Sequence, residues 1–345
     1  MGEEKKDQNL PIRTASSLMD QLVRQRQGVD VVPSQGLVVK NTGSPFGAII
    51  TPMATPFQDD FSLDLKAVER ILNHLIATGT QTIIVNGTTG ESPTVEESEF
   101  KILFRFVKEK ANGKAKVMAG TGSNSTAKTI KLSRIAEESG ADGLLIVTPY
   151  YNKPSQAGLV KHYQEVAKNI DIPIMLYNVP GRTGVNLGAE ATLEIVDSCK
   201  NVLALKDSTG STETIAEIAS RVKRDNFWLY SGDDYLTLPS LSVGSSGIVS
   251  VAAHLIGRSI KKMIESYFKG DFDTARKIHY ECLPLFKGLF AAPSPTCLKY
   301  GLEKVGLCKG VLRLPLIPLN TEERKKLDAI MDKSPIDVPE PALSV

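Results

Sequence analysis

The sequence predicts an α/β protein built as a closed (β/α)8 barrel, and three observations carry that prediction. Eight apolar runs of strand length recur from Phe46 onward: GAIITPM, TIIVNG, KVMAGTG, GLLIVTP, IPIMLYNV, VLALKDS, FWLYSGDD and GIVSVAA. Amphipathic segments of helix length, such as LDLKAVERILNHLIATG and EESEFKILFRFVKEKANG, separate them, with Leu, Ile, Val and Phe returning at three- and four-residue steps. The units recur roughly 25 to 35 residues apart, as in a TIM barrel. A doubly wound open sheet is the competing arrangement, but no G-x-G-x-x-G follows the first run.

Each element has a local reason. Short, uninterrupted apolar runs read as parallel strands covered on both faces. Several helical segments end at glycine, at Gly79, Gly113 and Gly140, the residue that most readily closes a helix. After the eighth unit, DFDTARKIHYECLPLFKGLF and TEERKKLDAIMDK predict an appended C-terminal helical region. Residues 1–44 are polar, charge-mixed and closed by the turn-rich KNTGSP. They read as an N-terminal extension, a mobile tail. A short amphipathic helix over Thr14–Gln27, with Leu18, Leu22 and Val23 on one side and Gly28 as its stop, is the structured alternative. The expected organisation is an extension over 1–44, a catalytic barrel over 45–267 and a helical region over 268–345.

Composition narrows the function. The 345 residues carry 41 Lys plus Arg against 39 Asp plus Glu, a formal net charge of +2. No overall field therefore argues for nucleic acid or an anionic membrane, and small-molecule chemistry is expected. Cys199, Cys282, Cys297 and Cys308 show neither Cys-x-x-Cys spacing nor a nearby His cluster. They read as reduced thiols of a cytoplasmic protein, not as a zinc site or a disulfide framework. No apolar run approaches the ~18 to 20 residues that span a bilayer. MGEEKKDQNL lacks the apolar core of a secretory signal, and Lys6 stands where a myristoylation site wants Ser or Thr.

In this architecture active sites gather at the C-terminal ends of the strands, and Lys206 ends the sixth run, where an ammonium is costly to desolvate. NGTTGES, residues 86–92, ends the second run. It sets the hydroxyls of Thr88 and Thr89 beside amides that Gly87 and Gly90 leave uncrowded, a turn suited to a carboxylate. Tyr150 and Tyr151 stand at the end of the fourth run, Tyr177 and Arg182 at the end of the fifth, and Gly232, Asp233 and Asp234 at the end of the seventh. Singly, each has a duller explanation: a lysine as the first solvated loop residue, tyrosines as half-buried packing, SGDD as a helix cap. Convergence on one face favours function. His74, His162, His254 and His279 are scattered, and none is assigned to catalysis.

These groups suit amine catalysis on a carbonyl. Desolvation disfavours a charged amine, so a lysine in a barrel mouth holds neutral amine that attacks a ketone to form a Schiff base. The protonated imine draws electrons from the neighbouring carbon and yields an enamine nucleophile. Tyrosines coupled to a threonine relay the protons. The Thr-Thr turn would hold the carboxylate of a 2-oxo acid, and an arginine fork that of an acidic second substrate.

GTTGESPT, GTGSNST, VTPYYNKPSQ, YNVPGRTG, ALKDSTG and SGDDYLTLP, in that order, resemble the family of 4-hydroxy-tetrahydrodipicolinate (dihydrodipicolinate) synthases. The likeness runs from about Phe46 to Leu319. This family of class I aldolase type condenses pyruvate with L-aspartate 4-semialdehyde in diaminopimelate and lysine synthesis, with neither metal nor prosthetic group. Carried over, the resemblance implies that Lys206 forms the Schiff base. By the same resemblance Tyr177 would be the central proton donor and acceptor, hydrogen-bonded to Thr88, and Tyr151 would complete the relay from a neighbouring subunit. Thr89 would bind the pyruvate carboxylate, with Gly232 and Val249 lining the same pocket, and Arg182 would clamp the semialdehyde carboxylate. It also implies a homotetramer made of two tight dimers, or a dimer.

Arg182 and the TTG before GES separate this chain from neuraminate lyases. A pyruvate-dependent aldolase for a sugar acid, N-acetylneuraminate or 4-hydroxy-2-oxoglutarate is the alternative enzyme. A non-catalytic binding descendant is the alternative class, weakened by the presence of Lys206, Tyr177, Tyr151 and both threonines. Two departures stand out. Glu97, Phe100 and Lys128 occupy positions where lysine-inhibited members carry histidines and a glutamate, so feedback inhibition by lysine is expected to be weak or absent. Ser294 stands where many members place an asparagine.

Overall fold

The computed structural model describes residues 43–339. The extension up to residue 42, with the helix considered over Thr14–Gln27, lies outside the described residues. Eight parallel strands close into a barrel in sequence order: β1 Ile49–Pro52, β2 Thr82–Val85, β3 Lys116–Gly120, β4 Gly143–Val147, β5 Ile174–Asn178, β6 Val202–Asp207, β7 Trp228–Ser231 and β8 Gly247–Val249. The seam pairs Ile49 with Ile248 and Ile50 with Val249. Every strand falls within one of the eight apolar runs, as expected where both faces are covered.

Helices α1 Leu65–Ala77, α2 Glu97–Ala111, α3 Thr126–Glu138, α4 Gln156–Lys168, α5 Ala189–Ser198, α6 Glu213–Arg221, α7 Thr237–Ser242 and α8 Ala253–Phe268 follow the strands in turn. The starts of α1 to α4 are set by side chains that satisfy orphan amides. Asp64 accepts from Ala67 N at 3.0 Å ahead of α1, and Ser155 from Gly158 N at 3.2 Å ahead of α4. Gly79, Gly113 and Gly140 take positive φ after α1, α2 and α3. Three further helices, α9 Phe272–Gly288, α10 Thr296–Lys304 and α11 Thr321–Met331, form the C-terminal helical region. α9 packs on α8, and α11 on α9.

Two cores result. Between barrel and helices, Val68, Ile71 and Leu72 of α1 and Phe104 and Val107 of α2 pack with the outward residues Ile83, Val85 and Val117; each such side chain stabilises by about 1.5–3 kcal/mol. Inside the barrel, Ile50, Ile84, Met118, Met175, Ala204, Trp228 and Val249 form a second cluster. Register then sets the site: Tyr177 of β5 is level with Val147 of β4 and Lys206 of β6, and Lys206 with Tyr230 of β7. Tyr230 directs its hydroxyl to Gly47 O at 2.7 Å, at the N-terminal end of the barrel. Tyr177 and Lys206 are left facing the other end.

Candidate active site

Lys206 is 5% exposed, and its Nζ lies 4.0 Å from the centroid of the Tyr177 ring. Both occur at the C-terminal ends of their strands, the end at which TIM barrels build their sites. Beside them opens a cavity of about 590 Å³ whose wall includes Thr88, Tyr150, Tyr177 and Arg182.

The Thr-Thr turn is shaped by its flanks. Asn86 (φ 62) follows β2 and donates to Gly120 O at 2.9 Å; a single 3-10 turn, Thr88–Gly90, comes next, and Glu91 reverses the chain in the left-handed region at φ 55. Thr55 Oγ1 donates to Gly90 O at 2.7 Å and fixes the turn against the loop after β1. Thr88 is half-buried and Thr89 buried.

The arginine loop is pinned by Asn178, the last residue of β5. Its amide donates to Asn186 Oδ1 at 2.9 Å and to Asp207 Oδ1 at 3.1 Å, and its carbonyl accepts from Leu187 N at 2.9 Å. The loop between begins with the helical turn Pro180–Thr183, which carries Arg182 on the cavity wall. Asp207, next to Lys206, also accepts from Thr209 Oγ1 at 2.6 Å, and burial raises its carboxyl above the usual range. After β7, a Cβ on Gly232 would lie 2.0 Å from Ser208 Oγ and 2.7 Å from Lys206 Cε, so only glycine fits there unstrained. Burial likewise raises the Asp233 carboxyl, against the opposing charges of Lys206 and Arg182.

Among the described residues the side chains of Thr88, Thr89, Tyr177, Arg182 and Lys206 make no hydrogen bond or ion pair. Polar groups that converge without spending their hydrogen bonds on one another are free to act on a ligand. The hydrogen bond expected between Tyr177 and Thr88 is not formed. Both line the cavity, but Thr88 is held by its 3-10 turn; such bonds commonly tighten only around substrate.

The other expected residues are placed as follows. Val249 is fully buried within the barrel core, and Thr89 sits behind Thr88 in the turn. Tyr151 does not turn into its own cavity: its φ is 73, its side chain is 87% exposed, and its amide donates to Thr183 O at 3.2 Å. Glu97, Phe100 and Lys128 line the same cavity as Tyr177. Glu97 is held by Lys131 at 2.6 Å and Lys101 at 3.1 Å. Ser294 is buried between α9 and α10. The four histidines are buried, His254 accepting from Ala54 N through Nε2 at 3.1 Å. All four cysteines are free and buried. No helix among the described residues is long and apolar enough to cross a membrane. Sequence reasoning missed Asn178 as the anchor of the arginine loop, although its place at the end of an apolar run was a signal.

Fold and site together define a TIM-barrel enzyme with a cavity walled by Thr88, Tyr177 and Arg182 at the C-terminal end of the barrel and the Lys206 amine packed against the Tyr177 ring beside it. The model of the dihydrodipicolinate synthetase family matches residues 45–334. 4-hydroxy-tetrahydrodipicolinate synthase 1 of Halalkalibacterium halodurans is 47% identical over 282 residues, 82% of this chain and 95% of that one. The crystal structure of a dihydrodipicolinate synthase from Bacillus anthracis superposes with a TM-score of 0.82 at 43% identity, covering 85% of this chain and 100% of the other. That of the enzyme from Cyanidioschyzon merolae with lysine bound gives 0.82 at 42%, covering 84% and 99%. The chain belongs to the dihydrodipicolinate synthetase family.

Proposed function

We propose that this chain condenses pyruvate with L-aspartate 4-semialdehyde to 4-hydroxy-tetrahydrodipicolinate, a step of diaminopimelate and lysine synthesis, through a Schiff base on Lys206. The observation that carries the reading is the buried Lys206 amine against the Tyr177 ring, level with it across β5 and β6. The unprotonated Nζ attacks C2 of pyruvate and water leaves, giving the iminium. A proton lost from C3 gives the enamine, whose C3 bonds to the aldehyde carbon of the semialdehyde. The new alkoxide takes up a proton. The semialdehyde's own amine then attacks C2, closes the ring and releases Lys206.

Tyr177 is the proton donor and acceptor of these steps, with Thr88 as its relay partner. Thr89 holds the pyruvate carboxylate in the turn, Gly232 and Val249 leave room for the acid, and Arg182 clamps the second carboxylate as a fork. Tyr151 serves a neighbouring subunit: an aromatic ring held in solvent by a strained φ is suited to a partner that covers it. Two tight dimers then make a homotetramer, and free, buried cysteines suit a cytoplasmic location. Lysine is a weak effector or none, because an ammonium in this cavity meets Lys128.

Incubation with pyruvate and borohydride, followed by mass spectrometry, tests the reading. A reduced pyruvate adduct on Lys206 and turnover with aspartate semialdehyde are expected. An adduct with turnover only on N-acetylmannosamine would assign the chain to a sugar-acid aldolase, and no adduct would leave a binding role.

A further inference from the structure

We infer that Glu91 and Lys299 are a buried positioning pair through which the C-terminal helices hold the Thr88–Thr89 turn in its carboxylate-binding shape. The inference rests on the assignment of that turn to the pyruvate carboxylate. Lys299, on α10, is 0% exposed and forms an ion pair with Glu91, which is 2% exposed. The ammonium also donates to Val311 O at 2.7 Å and lies 4.2 Å from the centroid of the Phe57 ring. The second oxygen of Glu91 accepts from Arg313 N at 3.0 Å. Arg313 in turn grips Glu99 of α2 through both guanidinium nitrogens, at 2.5 and 2.7 Å, and lies 4.1 Å from the same Phe57 ring.

Both carboxylate oxygens of Glu91 are thus held by the C-terminal region, and Glu91 is the residue that ends the turn. Its own amide donates to Thr88 O at 3.0 Å. A displacement of the Glu91 side chain is therefore passed along one residue of strained backbone to the two threonines. Stability gives little reason for the pair, since buried ion pairs are commonly matched by apolar residues of similar volume. Direction is what an ion pair adds: it fixes where the turn points, and apolar packing does not.

The test compares wild type, the double variant Glu91→Gln/Lys299→Met, which removes both buried charges together, and Glu91→Asp, which keeps the charges and retracts the carboxylate by one methylene. Each variant is expected to keep cooperative melting. The KM for pyruvate should rise about tenfold or more, the fold-change expected from loosening one charge-assisted contact. The kcat should fall as well, because the same turn carries Thr88, the relay partner of Tyr177, whereas the KM for aspartate semialdehyde, bound by Arg182 on a separate loop, should not move. A purely structural role would lower melting and active fraction without this split. If both variants keep the wild-type KM for pyruvate, or both KM values rise together, the inference is overturned. Should the double variant fail to fold, Glu91→Asp alone decides by the same split. Borohydride trapping of wild type separates the two levels: no adduct on Lys206 removes the underlying assignment, whereas an adduct with unchanged variant KM values removes only the positioning pair.

Discussion

Gly232 and Lys206 are packed so closely that a methyl group on the glycine would lie 2.7 Å from the lysine Cε. It would lie nearer still to Ser208 Oγ, so both side chains must turn aside. Gly232→Ala is expected to fold, because the colliding atoms end flexible side chains. A shift of the amine by even 1 Å costs about a hundredfold in rate, so kcat should fall by one to two orders of magnitude while the melting temperature changes little. Steady-state rates, with trapping on Lys206 as a second readout, check this; wild-type kcat in the alanine variant would show that the amine needs no such exact placement.

Arg182 occupies the wall of the cavity in the first turn of a loop that Asn178 ties to both Leu187 and Asp207. Arg182→Ala should raise the KM for aspartate semialdehyde about tenfold to a hundredfold, the equivalent of about 1.5–3 kcal/mol for a charge-assisted hydrogen bond. The KM for pyruvate should stay within about twofold. Arg182→Lys recovers only part of the loss, since an ammonium cannot reproduce the planar fork. Asn178→Ala should act in the same direction by loosening the loop, and an unchanged semialdehyde KM in that variant would show that the loop holds its shape without it.

Tyr151 is 87% exposed in the single chain. Co-expression of Lys206→Ala with Tyr151→Phe is expected to restore about a quarter of wild-type turnover, since half of randomly paired dimers are hybrids with one intact site in two. Each variant alone should be nearly inactive. Activity of the mixture no higher than that of the separate variants would show that Tyr151 works within its own chain or not at all.

The sequence made the strands legible because all eight are buried on both faces and therefore read as apolar runs. Lys206 stood out for the same reason: one charge ended a run that otherwise excluded charge. Glu91 and Lys299 were not legible. They are far apart in the chain, and Lys299 in TCLKYGL looks like a solvated lysine on an amphipathic helix, whereas α10 buries it completely. Asp234 was read as one of two acids in SGDD that cap a helix. It does so across space, accepting from Ser250 Oγ at 2.5 Å and Ala252 N at 3.0 Å at the start of α8. Long-range partners of this kind leave no local pattern, because nothing in the spacing of residues along one element records what packs against it.

Lysine should inhibit weakly or not at all. Lys128 lines the cavity, and Glu97 already pairs with Lys131 and Lys101, which hold its carboxyl below the usual range. An arriving ammonium finds a cation without an ion-pair partner among the described residues and a carboxylate already engaged. Lys128→Glu should increase sensitivity, reversing the sign of the local interaction. Titration of both proteins checks this, and strong inhibition of wild type at sub-millimolar lysine would refute it.

Acid stability is set by buried groups of opposite sense. Burial pushes His162 and His254 down to about 4 from 6.5, and lowers His74 and His279 as well. Between pH 6.5 and 4 the unfolded chain binds more protons at these sites, so the stability they contribute is present above pH 6.5 and lost as pH falls. Burial pushes Asp234 the other way, up to about 6 from 3.8. Here the folded chain binds the proton more tightly, so its contribution is present below pH 3.8 and lost as pH rises through 6. Asp234→Asn removes only this compensating group, and an amide in that position still accepts from Val251 N and Ala252 N through its carbonyl. Between pH 7 and pH 5 the variant should lose about 1 kcal/mol more stability than wild type, the part of the shift that titrates in that interval. Urea unfolding of both proteins at the two pH values measures the difference; equal losses would mean that the Asp234 carboxyl does not take up its proton in this range.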